Sequence, residues 1–169
     1  MDNPFESSDV VEVVGIRPIY LNKFVERRLY GIEPSFRSGE GRGSRRWFSL
    51  DDVLGIALVW WLFESGLRTE VIKRVLREVS KSSKDDANLT AKSLMKSGAE
   101  CLVITRDLRQ AGNKQQRTPQ VAQGADFLDA QEQLSEIGDE SIYVLPVRSL
   151  FADLLARLKN QVKTFSTRR

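Results

Sequence analysis

The stretch "GIRPIYLNKFVERRLYGIEPSFR", residues 15–37, decides how the rest of the chain reads. Pro18 suits the first turn of a helix, where its missing N–H costs nothing, and Gly31 followed by Pro34 ends one. Ile19, Leu21, Phe24 and Val25 are expected to face inward, leaving Arg17, Tyr20, Lys23, Arg27 and Arg28 on the outer face. Just upstream, "SSDVVEVV" (7–14) has Ser7 or Ser8 as a candidate N-cap and Asp9 in the first turn, and Gly15 stops it. Two short helices joined by a glycine turn, the second cationic on its outer face, form a helix-turn-helix pattern.

The charge distribution agrees. Formal net charge is only +3 over 169 residues, but residues 14–48 hold eight bases against three acids, a balance of +5, while residues 1–13 hold four acids and no base. Such a local field points to a polyanion. Within it, "RSGEGRGSRRWF" (37–48) carries four arginines and three glycines before two aromatics. Extended pieces around "SFRS" and "RRWFS" predict a β-hairpin, with Trp47 and Phe48 at its base and Arg37, Arg42, Arg45 and Arg46 projecting. The planar arginine fork grips phosphate oxygens in pairs, and glycine lets backbone approach a phosphate strand closely. Double-stranded DNA is the partner these features imply.

Beyond the hairpin, "SLDDVLGIALVWWLFESG" predicts a buried helix with Ser49 and Asp52 as a variant capping box. "LRTEVIKRVLREVSK" places Val71, Ile72, Val75, Leu76 and Val79 on one stripe. The polar run at 80–88 reads as a linker. Further on come a short helix (90–98), a strand (100–108), a polar loop (113–119), a helix (125–138), a strand (141–147) and an amphipathic helix (149–164). The last bears Leu150, Phe151, Leu154, Leu155, Leu158 and Val162 on one broad stripe. Trp60 and Trp61 point about 100° apart on their helix, which makes a contact with a second domain or subunit attractive. That contact and the terminal stripe together favour a homodimer.

Several classes of function are excluded or disfavoured. The chain has no histidine and one cysteine, Cys101, so imidazole catalysis, histidine metal sites and an internal disulfide are impossible. Carboxylate pairs such as Asp51–Asp52 and Asp85–Asp86 fall at a helix cap and in a polar run, and "GEGRGS" lacks the strand–helix context of a phosphate loop. No enzyme, cofactor or metal is expected. The apolar run at 54–63 is about half the length of a membrane span, so no membrane is expected and a cytoplasmic, nucleoid-associated protein is.

Over roughly residues 9–79, through Gly31, Pro34, Arg37, Arg46-Trp47-Phe48-Ser49 and Asp52, the chain resembles the DNA-binding domain of MerR-type regulators. Phe24-Val25-Glu26 stands where that family has a Tyr-Tyr-Glu or Tyr-Trp-Glu, and residues 80–88 stand where it continues into a coiled-coil helix. The resemblance implies a winged helix-turn-helix. The expected fold is therefore mainly α with minor β: a MerR-like domain at 1–79, a linker at 80–89, and a small α/β module at 90–169 that dimerises, senses a small-molecule effector or holds a protein partner. The expected function is a sequence-specific transcriptional regulator, with Arg17, Tyr20, Lys23, Arg27, Arg28, Arg37, Arg42, Arg45 and Arg46 on DNA. The alternative is a protein-interaction adaptor with nonspecific DNA binding, as in chromosome organisation.

Overall fold

The computed structural model describes residues 5–38, 45–106, 121–124 and 141–166. It is mainly helical, with two small antiparallel sheets. Strand β1 (Phe5–Glu6) leads directly into helix α1 (Ser7–Val14). The residue at the N-cap is Glu6 rather than either serine, and its backbone N–H donates to Asp9 Oδ2 at 2.8 Å. Gly15 closes α1 in the left-handed conformation, φ 75°, as its lack of a Cβ permits.

Helix α2 (Pro18–Glu26) follows, shorter than expected: it ends at Glu26, so Arg27 and Arg28 lie in the turn beyond it. Arg28 and Tyr30 both take positive φ, 47° and 61°, and lead through a single 3-10 turn at Leu29–Gly31. The Tyr30 ring is buried edge-on against Phe24, which holds this turn under the helix.

Strands β2 (Phe36–Ser38) and β3 (Arg45–Phe48) form the expected hairpin, in the register Phe36↔Trp47, Arg37↔Arg46 and Ser38↔Arg45. β1 adds a third strand on the other side of β3, placing Phe5 opposite Phe48. Phe48 is fully buried and anchors the hairpin base.

Helix α3 (Leu50–Glu64) is the axis of the molecule, apolar and buried around most of its circumference, as a central helix must be. Ser49 and Asp52 form its capping box as expected. Helix α4 (Thr69–Ser80) buries Ile72, Val75, Leu76 and Val79. The stretch expected as a linker is a tight turn followed by helix α5 (Ala87–Ser97), whose N-cap Asp86 accepts from Leu89 N–H at 2.9 Å. Helix α5 packs on α3 and α4, with Ala87, Thr90, Ala91 and Leu94 buried. The turn therefore lies inside one packed body, because a small-residue face on α5 lets it lie close to α3. No spacer separates two cores here.

The second sheet has the order β5 (Val121–Gly124), β4 (Cys101–Arg106), β6 (Ser141–Leu145), all antiparallel. Helix α6 (Val147–Ser166) closes the described chain. Its Phe151, Leu154 and Leu158 are buried within the same core, Phe151 rests on Trp61 with ring centroids 5.4 Å apart, and Arg157 donates to the Val13 carbonyl at 3.4 Å. The stripe expected to drive dimerisation is thus covered largely by this chain's own helices. The expected loop at 113–119 and helix at 125–138 lie outside the described residues.

Candidate nucleic-acid interface

The two tryptophans of α3 divide the labour. Trp61 faces α6, whereas Trp60 stacks on Phe63 at 5.7 Å and meets Tyr20 of α2 at 5.4 Å. Tyr20 also meets Phe63 at 5.0 Å and is partly buried. Tyr20 therefore helps Phe24 to seat α2 on α3, so its ring is packed and not on the open outer face where it was expected. Ile19, expected inward, is 72% exposed. The helix is rotated so that Leu21, Phe24 and Val25 fill the core, and Ile19, Asn22, Lys23 and Glu26 form an open stripe at i, i+3, i+4 and i+7.

Arg17 is exposed at the N-cap of this helix, and Arg27 and Arg28 are exposed just past its end. Arg28 meets Glu33 at 3.5 Å, both side chains more than half exposed. Pairs of that kind are worth at most about 1 kcal/mol.

The hairpin is tied to the stripe by one side chain. Arg46 does not project; its side chain is 19% exposed, and it lies across α2, donating Nη1–H to Asn22 Oδ1 at 3.0 Å and approaching Glu26 Oε1 at 3.6 Å. The physical reason is the strand pleat: Phe48 points into the core, so Arg46, two residues earlier, points to the same side. Arg45 points the other way and meets Glu6 at 3.8 Å. Arg37 lies at the register position opposite Arg46, and Arg42 lies outside the described residues. Glu26 thus serves as an anchor for the hairpin. On the outward face of the hairpin, Phe36 is 60% exposed and packs on Trp47 at 5.2 Å.

The hairpin's two ends converge on Asp52. This buried carboxylate accepts from the Ser35 hydroxyl, from the Ser49 N–H and hydroxyl at 2.7 and 2.8 Å, and from Asn88 Nδ2 at 2.7 Å. Next to it, Asp51 accepts from Lys92 at 2.6 Å. The hydrogen bond and charge of Asp51 push the Lys92 ammonium above its ordinary pKa. Burial pushes the Tyr30 hydroxyl up, against a hydrogen bond with Thr69. Both shifts move titration further from neutrality, so neither group changes charge near pH 7.

The exposed bases Arg17, Lys23, Arg27 and Arg28 lie along α2 and at its two ends, and Arg46 ties the hairpin to this helix through Asn22 and Glu26. Ile19 and Asn22, which complete the open stripe, were missed by sequence reasoning, although 3.6-residue periodicity counted from Phe24 places both outward. Among the described residues no group of three or more His, Cys, Asp or Glu is placed to hold a metal ion, and no helix is long and apolar enough to cross a membrane. The chain matches no protein-family model and no curated protein.

Proposed function

We propose that the chain is a sequence-specific regulator that binds double-stranded DNA as a winged helix-turn-helix of the MerR type. Helix α2 enters the major groove, and the hairpin at 36–48 lies on flanking phosphates or in the minor groove. The observation that carries this reading is the Arg46 bridge to Asn22 and Glu26, which locks a basic hairpin against the open stripe of α2 so that both meet one ligand. The concentration of +5 in residues 14–48 supports it.

Selection from random duplex DNA with the purified protein tests the proposal, followed by titration of the selected duplex at several salt concentrations. Replacing Arg27 and Arg28 with alanine is expected to weaken all duplexes alike and to lower the slope of log affinity against log salt by about 0.9 for each phosphate no longer neutralised. Replacing Lys23 is expected to change the preferred sequence, at about 1–3 kcal/mol for the base pair read. An unchanged salt slope removes the turn after α2 from the interface.

A second reading has one observation in its favour. The outward Phe36–Trp47 pair is an exposed aromatic patch, the kind of surface a protein partner covers. An adaptor of that kind would bind DNA without sequence preference, and the same selection would return no consensus. A homodimer remains part of the proposal on the ground that two half-sites give more affinity than one. Light scattering on the full chain decides it, a monomer at micromolar concentration removing the dimer.

A further inference from the structure

We infer that Ile19 and Asn22 form a thymine-reading pair on α2, an inference that rests on the proposed insertion of this helix into the major groove. A large aliphatic side chain that is 72% exposed, in a helix that buries Leu21, Phe24 and Val25, has no packing role among the described residues. Ile19 stands one turn before Lys23, beside Asn22 and two residues after Arg17, all exposed. An apolar group set among cations and an amide is matched by a surface that is itself polar and anionic with one apolar projection.

In the major groove that projection is the thymine 5-methyl group, the one apolar feature any unmodified base pair presents there. Asn22 completes the match. Arginine only donates hydrogen bonds, so its contact with Arg46 assigns the amide oxygen to the hairpin side. The edge of the amide left to face the groove is Nδ2, a donor. Thymine carries an acceptor, O4, directly beside its methyl group. Cytosine offers a donor and no methyl, guanine two acceptors and no methyl, and adenine a donor and an acceptor without a methyl. A donor and an aliphatic surface three residues apart on one helical face fit thymine alone. Arg46, from the hairpin, acts as a positioning residue by setting which way the amide faces.

The test begins with the duplex chosen by selection and replaces each thymine in turn. Uracil removes only the methyl group. At one position wild-type binding is expected to weaken about fourfold, the loss of one buried methyl. Ile19→Ala is expected to bind the thymine and uracil duplexes equally. Placing 5-methylcytosine opposite guanine at that position keeps the methyl and turns the acceptor into a donor. Wild type is expected to lose about tenfold or more, and Asn22→Asp, whose carboxylate accepts and still pairs with Arg46, to prefer the 5-methylcytosine duplex. Both positions are exposed, so neither substitution disturbs the core.

Uracil without effect at every position, or a full uracil penalty retained by Ile19→Ala, overturns the thymine pair while leaving DNA binding intact. A wild-type protein that selects no duplex overturns the DNA reading itself, before any modified base is used.

Discussion

Replacing Asp52 with alanine is expected to lower the free energy of unfolding by about 3–5 kcal/mol, the range for removing one member of a buried, charged hydrogen-bond network. Asp52 is 5% exposed and is charge-balanced by neutral donors and by the positive end of α3, in whose first turn it sits. Its donors come from three places: Ser35 before β2, Ser49 after β3, and Asn88 in the first turn of α5. Alanine would leave the Ser49 N–H and the Asn88 amide without this acceptor in a site with little access to water. Asparagine keeps the size but turns one oxygen into a donor facing other donors, so it is expected to fall between the two. Because Ser35 and Ser49 bracket the hairpin, the loss would also unseat the basic strands from α2 and, on the proposed reading, weaken binding to the selected duplex. Urea unfolding reads the effect as a shift in midpoint at constant slope. A loss below about 1 kcal/mol would mean that Asp52 is only a helix cap.

That carboxylate shows where sequence reasoning stops. Its cap to Ser49 is local, three residues apart, and was legible. The bonds to Ser35 and Asn88 span 17 and 36 residues and have no local signature. The same division runs through the fold. The hairpin, the cap and the stripes of α4 and α6 follow from composition and period, and each was expected. The end of α2 was missed because two non-glycine residues, Arg28 and Tyr30, take the positive φ that a reader assigns to glycine. The 80–88 segment reads as a spacer because it is polar. The signal against that reading is Asp86 preceding Ala87, Ala91 and Leu94 at i, i+4 and i+7, a cap followed by a narrow apolar face. β5 is four residues of weak strand character and exists through its pairing with β4.

The candidate site was legible in its charge and misjudged in its orientation. At about 100° per residue, Ile19 sits about 140° around α2 from Phe24, whereas Tyr20 sits about 40° away. Apolarity argued for Ile19 inside, and angle argued for Tyr20. Angle prevails because Trp60 and Phe63 offer Tyr20 an aromatic seat. The swap matters for function, since it places an aliphatic side chain on the surface where bases would be read. Arg46 was expected among the projecting arginines, and strand alternation from the buried Phe48 explains why it turns inward.

Gly55→Ala is expected to destabilise the protein by about 1–2 kcal/mol net, an overpacking cost of up to about 3 kcal/mol set against a helix-propensity gain of about 1 kcal/mol for replacing an interior glycine. The sign is decided by where α5 crosses α3. A Cβ at position 55 would lie 2.2 Å from Asn88 Oδ1, 2.9 Å from the Asn88 nitrogen and 3.0 Å from the Ala87 carbonyl carbon. The first contact is with a side-chain tip, but rotating it away breaks the 2.7 Å bond from Asn88 Nδ2 to Asp52. The other two are backbone atoms of α5, and relieving them requires the whole helix to shift. Among the described residues Asn88 Oδ1 is buried without a hydrogen-bond partner, in keeping with the close approach of the two helices. The double variant Gly55→Ala with Asn88→Ala separates the contributions: it removes the side-chain clash and leaves the backbone ones, so the two costs are expected not to add. Denaturant unfolding of the three variants measures this. A Gly55→Ala protein as stable as wild type would mean that α5 has room to move away from α3, and that the turn at 81–86 does act as a spacer.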